Sequence, residues 1–220
     1  MSRIIRKEVN CPHCGAPNDT EMWTSINVSL EPELRERIMD ESLFHWHCDQ
    51  CGWDAQLVYP CLYHDMERRF MIYLIPDISE KALVDSELER AFPELSTIRK
   101  RLVPTLNKFK EKILLFEAGL DDRAVELAKL ALAEVVAKKQ NKTVSSGYFC
   151  SLDAETGRIG FSFFLEGQPE PCYQGTRLEV YEKSLEIARA FESDELPEDG
   201  FVKIDTPWAS ETLHRYQARV

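Results

Sequence analysis

The chain has 220 residues, an apolar fraction of 44% and a formal net charge of −11. That length is enough for one good core or two small ones. It contains no run of about 18 apolar residues, so no membrane-spanning helix is expected. The acidic balance disfavours a nucleic-acid partner, which needs a cationic face.

The charge is uneven: −5 over residues 1–75, +1 over 76–142 and −7 over 143–220. The N-terminus, Met1-Ser2-Arg3-Ile4-Ile5-Arg6-Lys7, lacks the apolar stretch of a signal peptide. Without an export signal, seven cysteines point to a reducing cytoplasm, where paired cysteines hold metal and do not form disulfides.

The first informative stretch is Cys11-Pro12-His13-Cys14-Gly15, and its counterpart is Cys48-Asp49-Gln50-Cys51-Gly52. Each is a Cys-x-x-Cys turn followed by Gly, which takes positive φ cheaply and lets backbone N–H groups face the sulfurs. Two such knuckles supply four thiolates to one tetrahedral ion. The spacing predicts a structural zinc site of Cys11, Cys14, Cys48 and Cys51, with iron in a rubredoxin-like electron-transfer site as the alternative. A thioredoxin-like pair needs a single motif opening a helix in a βαβ unit, which is not the pattern here. Thirty-three residues separate Cys14 from Cys48, so the intervening chain must itself be structured.

From Glu21 to Leu30 the residues alternate, with Met22, Thr24, Ile26, Val28 and Leu30 on one side, which predicts a half-buried strand. Glu31-Pro32-Glu33 opens a short helix ending near Asp40. Strands are expected over Ser42–Cys48 and Trp53–Tyr59, flanking the second knuckle as a ribbon hairpin. His45 and His47 then share one strand face and shield the metal or line the surface. Phe70–Ile75 reads as a buried strand, and the polar Tyr63-His64-Asp65 as a turn before it.

Residues 77–142 carry helical spacing. Helices are expected over Ser79–Ala91 and after Pro104, with Leu106, Phe109, Ile113, Phe116 and Leu120 on one face. Gly119 ends that helix and Asp121 caps the next. Its stripe is Ala124, Leu127, Ala128, Ala131, Leu132 and Val135. The short connection predicts an antiparallel αα-hairpin. Arg99, Lys100, Arg101, Lys108, Lys110 and Lys112 form a local basic group, read as the solvated face of two helices.

Beyond residue 143, strands over Thr143–Leu152 and Arg158–Leu165 form a hairpin, and Gly167–Gly175 reads as a loop. Thr176-Arg177-Leu178-Glu179 resembles a capping box opening a helix to about Glu192. An acidic loop, a short strand over Phe201–Ile204 and a helix over Trp208–Tyr216 follow. Cys61, Cys150 and Cys172 read as small buried hydrophobes.

The expected class is therefore α+β: a zinc-ribbon-like antiparallel sheet over 1–76, a helical region over 77–142, and a small α+β region over 143–220 with a β-hairpin and helices. A closed four-thiolate site holds structure and offers no open position to substrate. This favours a non-enzymatic module with a protein partner and no catalytic residue. The alternative is an enzyme or small-ligand site at Tyr63, His64 and Asp65, since a His beside a carboxylate is tunable as a general base. Neighbours on a strand face opposite ways, so His64 and Asp65 act together only in a turn.

Both knuckles, together with Trp23-Thr24-Ser25-Ile26-Asn27-Val28, Pro32-Glu33-Leu34, Tyr59-Pro60, Leu62-Tyr63-His64-Asp65-Met66 and Phe116-Glu117-Ala118-Gly119-Leu120-Asp121-Asp122-Arg123, resemble the CpXC family. The resemblance covers roughly residues 8–140. One departure is Asp49, where that family's second knuckle is expected to carry Pro. Pro there supplies rigidity and is not a ligand. The resemblance implies a metal-binding N-terminal domain of a bacterial and archaeal group and leaves the activity open.

Overall fold

The computed structural model describes residues 2–83, 98–191 and 200–219. The fold is α+β, and the chain divides into two compact units: Met1–Lys110 with Asp199–Phe201, and Glu111–Glu198 with Val202–Val220.

In the first unit, β1 (Arg3–Asn10) and β2 (Pro17–Asn27) form an antiparallel hairpin whose turn is the first knuckle. β2 buries Asn18, Met22 and Ile26, so the expected alternation holds and extends back to the knuckle. Leu30, expected to continue that side, is exposed. Helix α1 (Glu33–Met39) follows Pro32 and buries Leu34 and Ile38. A short 3-10 turn over Ser42–Phe44 stands where the start of a strand was expected, and β3 (His45–His47) leads into the second knuckle. β4 (Asp54–Gln56) leaves it and pairs antiparallel with β3.

β5 (Cys61–Asp65) and β6 (Phe70–Leu74) are antiparallel neighbours. Tyr63-His64-Asp65 is thus strand, not the expected turn. Its polar residues face a covered sheet, and the turn lies just beyond it. β7 (Ala82–Leu83) and β8 (Arg99–Val103) complete this part of the chain. Residues 79–83, where a helix was expected to begin, hold no helical turn and include β7; the remainder of the helix expected over Ser79–Ala91 lies outside the described residues.

The sheet order is β1-β2-β5-β6-β8-β12-β7, with β12 at Phe201–Val202. β2–β5 and β6–β8 pair in parallel, so the sheet is mixed, not wholly antiparallel as expected. The long excursion over 28–60 makes the parallel β2–β5 pairing possible. Tyr63, Phe70 and Phe109 bring their rings together beneath this sheet, while Met71, Ile98, Leu102 and Phe201 cluster separately.

Helix α2 (Leu106–Glu117) carries the boundary between the units. Helix α3 (Asp122–Gln140) is capped by Asp121, whose side chain accepts from the Arg123 N–H at 2.9 Å. It buries Ala124, Leu127, Ala128, Leu132 and Val136; Ala131 and Val135, assigned to its inner stripe, are exposed. In the second unit β9 (Val144–Asp153), β10 (Arg158–Leu165) and β11 (Cys172–Arg177) form an antiparallel sheet in the order β11-β10-β9. β11 occupies part of the expected Gly167–Gly175 loop.

β11 runs directly into α4 (Leu178–Arg189). Arg177 stands at the N-cap with no side-chain cap hydrogen bond, so the expected capping box is absent. Helix α5 (Thr206–Arg219) ends the chain, and α3, α4 and α5 meet at Leu127, Ala188 and Ala209. Gly147 on β9 is a steric necessity: a Cβ there would lie 2.7 Å from the Phe163 ring.

The second unit also buries charge. Lys112 Nζ lies 2.7 Å from Asp122 Oδ2 and 3.7 Å from Glu126 Oε1. Lys129 Nζ lies 2.7 Å from Glu111 and 2.8 Å from Glu126. Glu111 Oε1 also accepts from the Phe149 N–H. All five side chains are at most 4% exposed. In the first unit Lys100 and Arg101 are buried, and Lys110 pairs with Glu41. The residues read as one solvated basic face are therefore divided between a strand and a helix, and three of them are buried.

Candidate metal centre

The two knuckles are built alike. The Gly15 N–H donates to the Cys11 carbonyl and the Gly52 N–H to the Cys48 carbonyl, each at 2.9 Å. The Cys11 N–H donates to the Ala16 carbonyl and the Cys48 N–H to the Trp53 carbonyl, again at 2.9 Å. Gly15 and Gly52 hold φ of +75° and +70°, the left-handed region that side chains resist.

These turns bring together all four cysteines singled out by their spacing. Cys11 Sγ lies 3.7 Å from Cys51 Sγ, and Cys14 Sγ lies 3.8 Å from Cys48 Sγ. All four sulfurs fall within 4.8 Å of one another. A tetrahedron with metal–sulfur bonds of about 2.3 Å has edges of about 3.8 Å, and these two pairs stand at that separation. A disulfide would need about 2.05 Å, and every cysteine is free. Cys11 and Cys48 are buried; Cys14 and Cys51 reach the surface.

The surroundings drive the two thiols of the second knuckle apart. Desolvation works against charge on Cys48. Nevertheless, the N–H groups of Cys51 and Gln50 and the adjacent thiols bring its pKa down to about 6. Cys51 is pushed up to about 12, first by desolvation and then by the neighbouring sulfurs. Four sulfurs this close share few negative charges until a cation joins them. The His13 N–H points at Cys11 Sγ at 3.4 Å, and Asn18 Nδ2 at Cys48 Sγ at 3.6 Å. Trp46 packs with Cys11 and Cys48, and its Nε1–H donates to Thr20 Oγ1. Residue spacing marks none of Asn18, Thr20 and Trp46: the fold brings Asn18 and Trp46 to the sulfurs and Thr20 to Trp46 from separate stretches of chain.

His45 and His47 do share a face of β3, and both are exposed. Asp54, directly across on β4, lies 2.8 Å from His47 Nδ1 and 3.2 Å from His45 Nε2. That hydrogen bond raises the His47 pKa and lowers that of Asp54. On the outer side of the knuckles His13 stacks on Trp53, with ring centroids 4.8 Å apart.

Tyr63, His64 and Asp65 are successive residues of β5, so their side chains alternate between its two faces. Tyr63 is fully buried against Phe70 and Phe109. His64 is buried on the opposite sheet face, and desolvation lowers its pKa. The Asp65 carboxylate accepts from the Arg68 backbone N–H and pairs with its guanidinium at 2.7 Å, which holds the β5–β6 turn. Of the single cysteines, Cys61 is buried and pushed up to about 12 by desolvation. Cys150 is exposed and Cys172 half-buried, so the expectation of three buried thiols holds only for Cys61.

No helix among the described residues is long and apolar enough to cross a membrane. No curated protein and no solved structure matches the chain. The family model described as CpXC protein matches residues 9–129, more than half of the chain and the stretch that holds both knuckles.

Proposed function

This chain belongs to the CpXC family, and from that membership we propose that Cys11, Cys14, Cys48 and Cys51 hold one structural zinc ion in a protein-interaction module. The observation that carries this reading is the mutual approach of the four sulfurs, with edges near those of a tetrahedral thiolate site. Zinc supplies cohesion there: four thiolates fill its coordination, so it ties two distant turns together and has no vacancy for substrate. Backbone N–H groups and Asn18 orient the sulfurs and spread their charge.

The opposed faces of His64 and Asp65 count against a general-base pair on β5, and an interaction role fits the closed centre better than a catalytic one. The test is metal analysis of protein purified without added metal. One zinc per chain is expected, with no visible absorption. Iron with strong charge-transfer bands would replace zinc by an electron-transfer centre. In Cys14→Ser, zinc content and thermal midpoint should both fall; full content with an unchanged midpoint would refute the structural role.

A further inference from the structure

The outward face of the β3–β4 hairpin carries metal-ligating side chains that the four cysteines do not include. His45 and His47 are alternate residues of β3 and point the same way, while Trp46 between them is buried. Asp54 lies directly across from His47 on β4. The Cys48 N–H donates to the Trp53 carbonyl where the hairpin turns through the second knuckle, which fixes this register.

Asp54 Oδ1 is the meeting point. It lies 2.8 Å from His47 Nδ1 and 3.2 Å from His45 Nε2. Two ligands held about 2.1 Å from one ion stand about 3.0–3.4 Å apart in octahedral or tetrahedral sets. Both separations are close to those of neighbouring ligands. The two rings approach the oxygen but not each other: among the described residues, only the four cysteines have three or more donor atoms all within 4.8 Å of one another. One ring must therefore turn to take hold of an ion. Each of the three side chains is more than half exposed, so there is room for that turn.

The donor set chooses the ion. Two imidazoles with one carboxylate suit zinc and its first-row neighbours, whereas magnesium and calcium prefer all-oxygen sets. Three protein ligands leave positions open to water, as a closed thiolate site does not. A hollow of about 380 Å³ beside His45, between residues 40–42 and Ala55–Gln56, gives that water space. β3 runs straight into the second knuckle, so a cation here lies near thiolates whose negative charge outweighs that of one divalent ion.

We propose that His45, His47 and Asp54 bind a second divalent transition-metal ion of the zinc class, weakly and in contact with solvent. This goes beyond the structural role given to the four cysteines and stands whichever metal they hold.

The test is a zinc chloride titration of the untagged chain, first loaded with zinc and dialysed against metal-free buffer. One further equivalent should bind, more weakly than the first, and should leave again on dialysis. NMR identifies the ligands without any substitution. The chain has five histidines. The ring signals of His45 and His47 should shift together, while those of His13, His64 and His214 stay in place. Magnesium chloride at the same concentration should move none of them. Asp54→Asn, which keeps an acceptor for the hairpin contact, should weaken the further equivalent by about tenfold or more. His45→Ala combined with His47→Ala should abolish it.

Failure to bind a further equivalent would overturn the proposal. So would a shift at only one of the two rings, or uptake that survives the double substitution, which would mark adventitious binding elsewhere. Zinc that resists dialysis, measured on the same samples, reports separately on the four cysteines.

Discussion

The Asn18 carboxamide and the Cys48 sulfur lie 3.6 Å apart, both shut away from solvent. Asn18 is used at both ends: Nδ2 also donates to the Ala16 carbonyl, and Oδ1 accepts from the Asp49 N–H at 3.2 Å. One side chain on β2 thus grips both knuckles. Asn18→Leu keeps much of the volume and offers no donor. It should weaken zinc binding by about 10–100-fold, read by competition with a chromophoric chelator. An unchanged constant would show that Asn18 is packing alone.

The knuckle glycines give a separate test of backbone strain. A Cβ added at Gly15 or Gly52 meets nothing within 4 Å, so any penalty comes from positive φ and not from a clash. Gly15→Ala and Gly52→Ala should each cost about 1–2 kcal/mol, measured by chemical denaturation of the zinc-loaded protein. Gly15→Asn should cost less, because Asn tolerates the left-handed region better. Equal penalties for Ala and Asn would point away from φ as the cause.

His64 should make the first unit sensitive to acid. Desolvation lowers its pKa below the ordinary 6.5, and no described residue hydrogen-bonds its Nδ1. The unfolded chain therefore binds the proton first as pH falls. The contribution of neutral His64 is complete above about pH 6.5 and is lost as pH drops through the folded value. Denaturation midpoints measured from pH 7.5 downward should decline for the native sequence and less steeply for His64→Phe. Parallel slopes would assign the acid sensitivity to other groups.

The buried charge cluster of the second unit predicts an asymmetry. Lys112→Met leaves Asp122 without its 2.7 Å partner in a fully buried setting. Breaking one side of such a pair costs about 3–5 kcal/mol. Replacing Lys112 and Asp122 together with apolar residues should recover much of that loss. Urea titrations of the single and double variants decide it: equal destabilisation would mean the pair contributes only through packing.

Legibility in the sequence follows the range of the interactions. The knuckles are local, so four ligands can be read from two short spacings and the following glycines. Asp121 as a cap and the β9–β10 hairpin are equally local. Strand β8 is hidden because Arg99-Lys100-Arg101 looks solvated, yet Lys100 and Arg101 are buried by their neighbours. β5 is hidden by His64 and Asp65, one buried on a covered face and the other spent on Arg68. Lys112, Glu126 and Lys129 sit where a helix would ordinarily meet water, and only the three-dimensional pairing with Glu111 and Asp122 accounts for them. The parallel β2–β5 register depends on a partner thirty-seven residues away in sequence, beyond the reach of any periodicity.

The parallel pairing of β2 with β5 has a kinetic consequence. Ser25–Asn27 and Leu62–His64 lie side by side, so the chain carrying the second knuckle leaves and rejoins the sheet at one place. If the clamp lets go, that excursion becomes a tethered ring with both feet still planted, and regaining the ion requires only ring closure, a modest entropic step. Exchange of the ion should then run faster than global unfolding, as a local opening that leaves the neighbouring ladder intact.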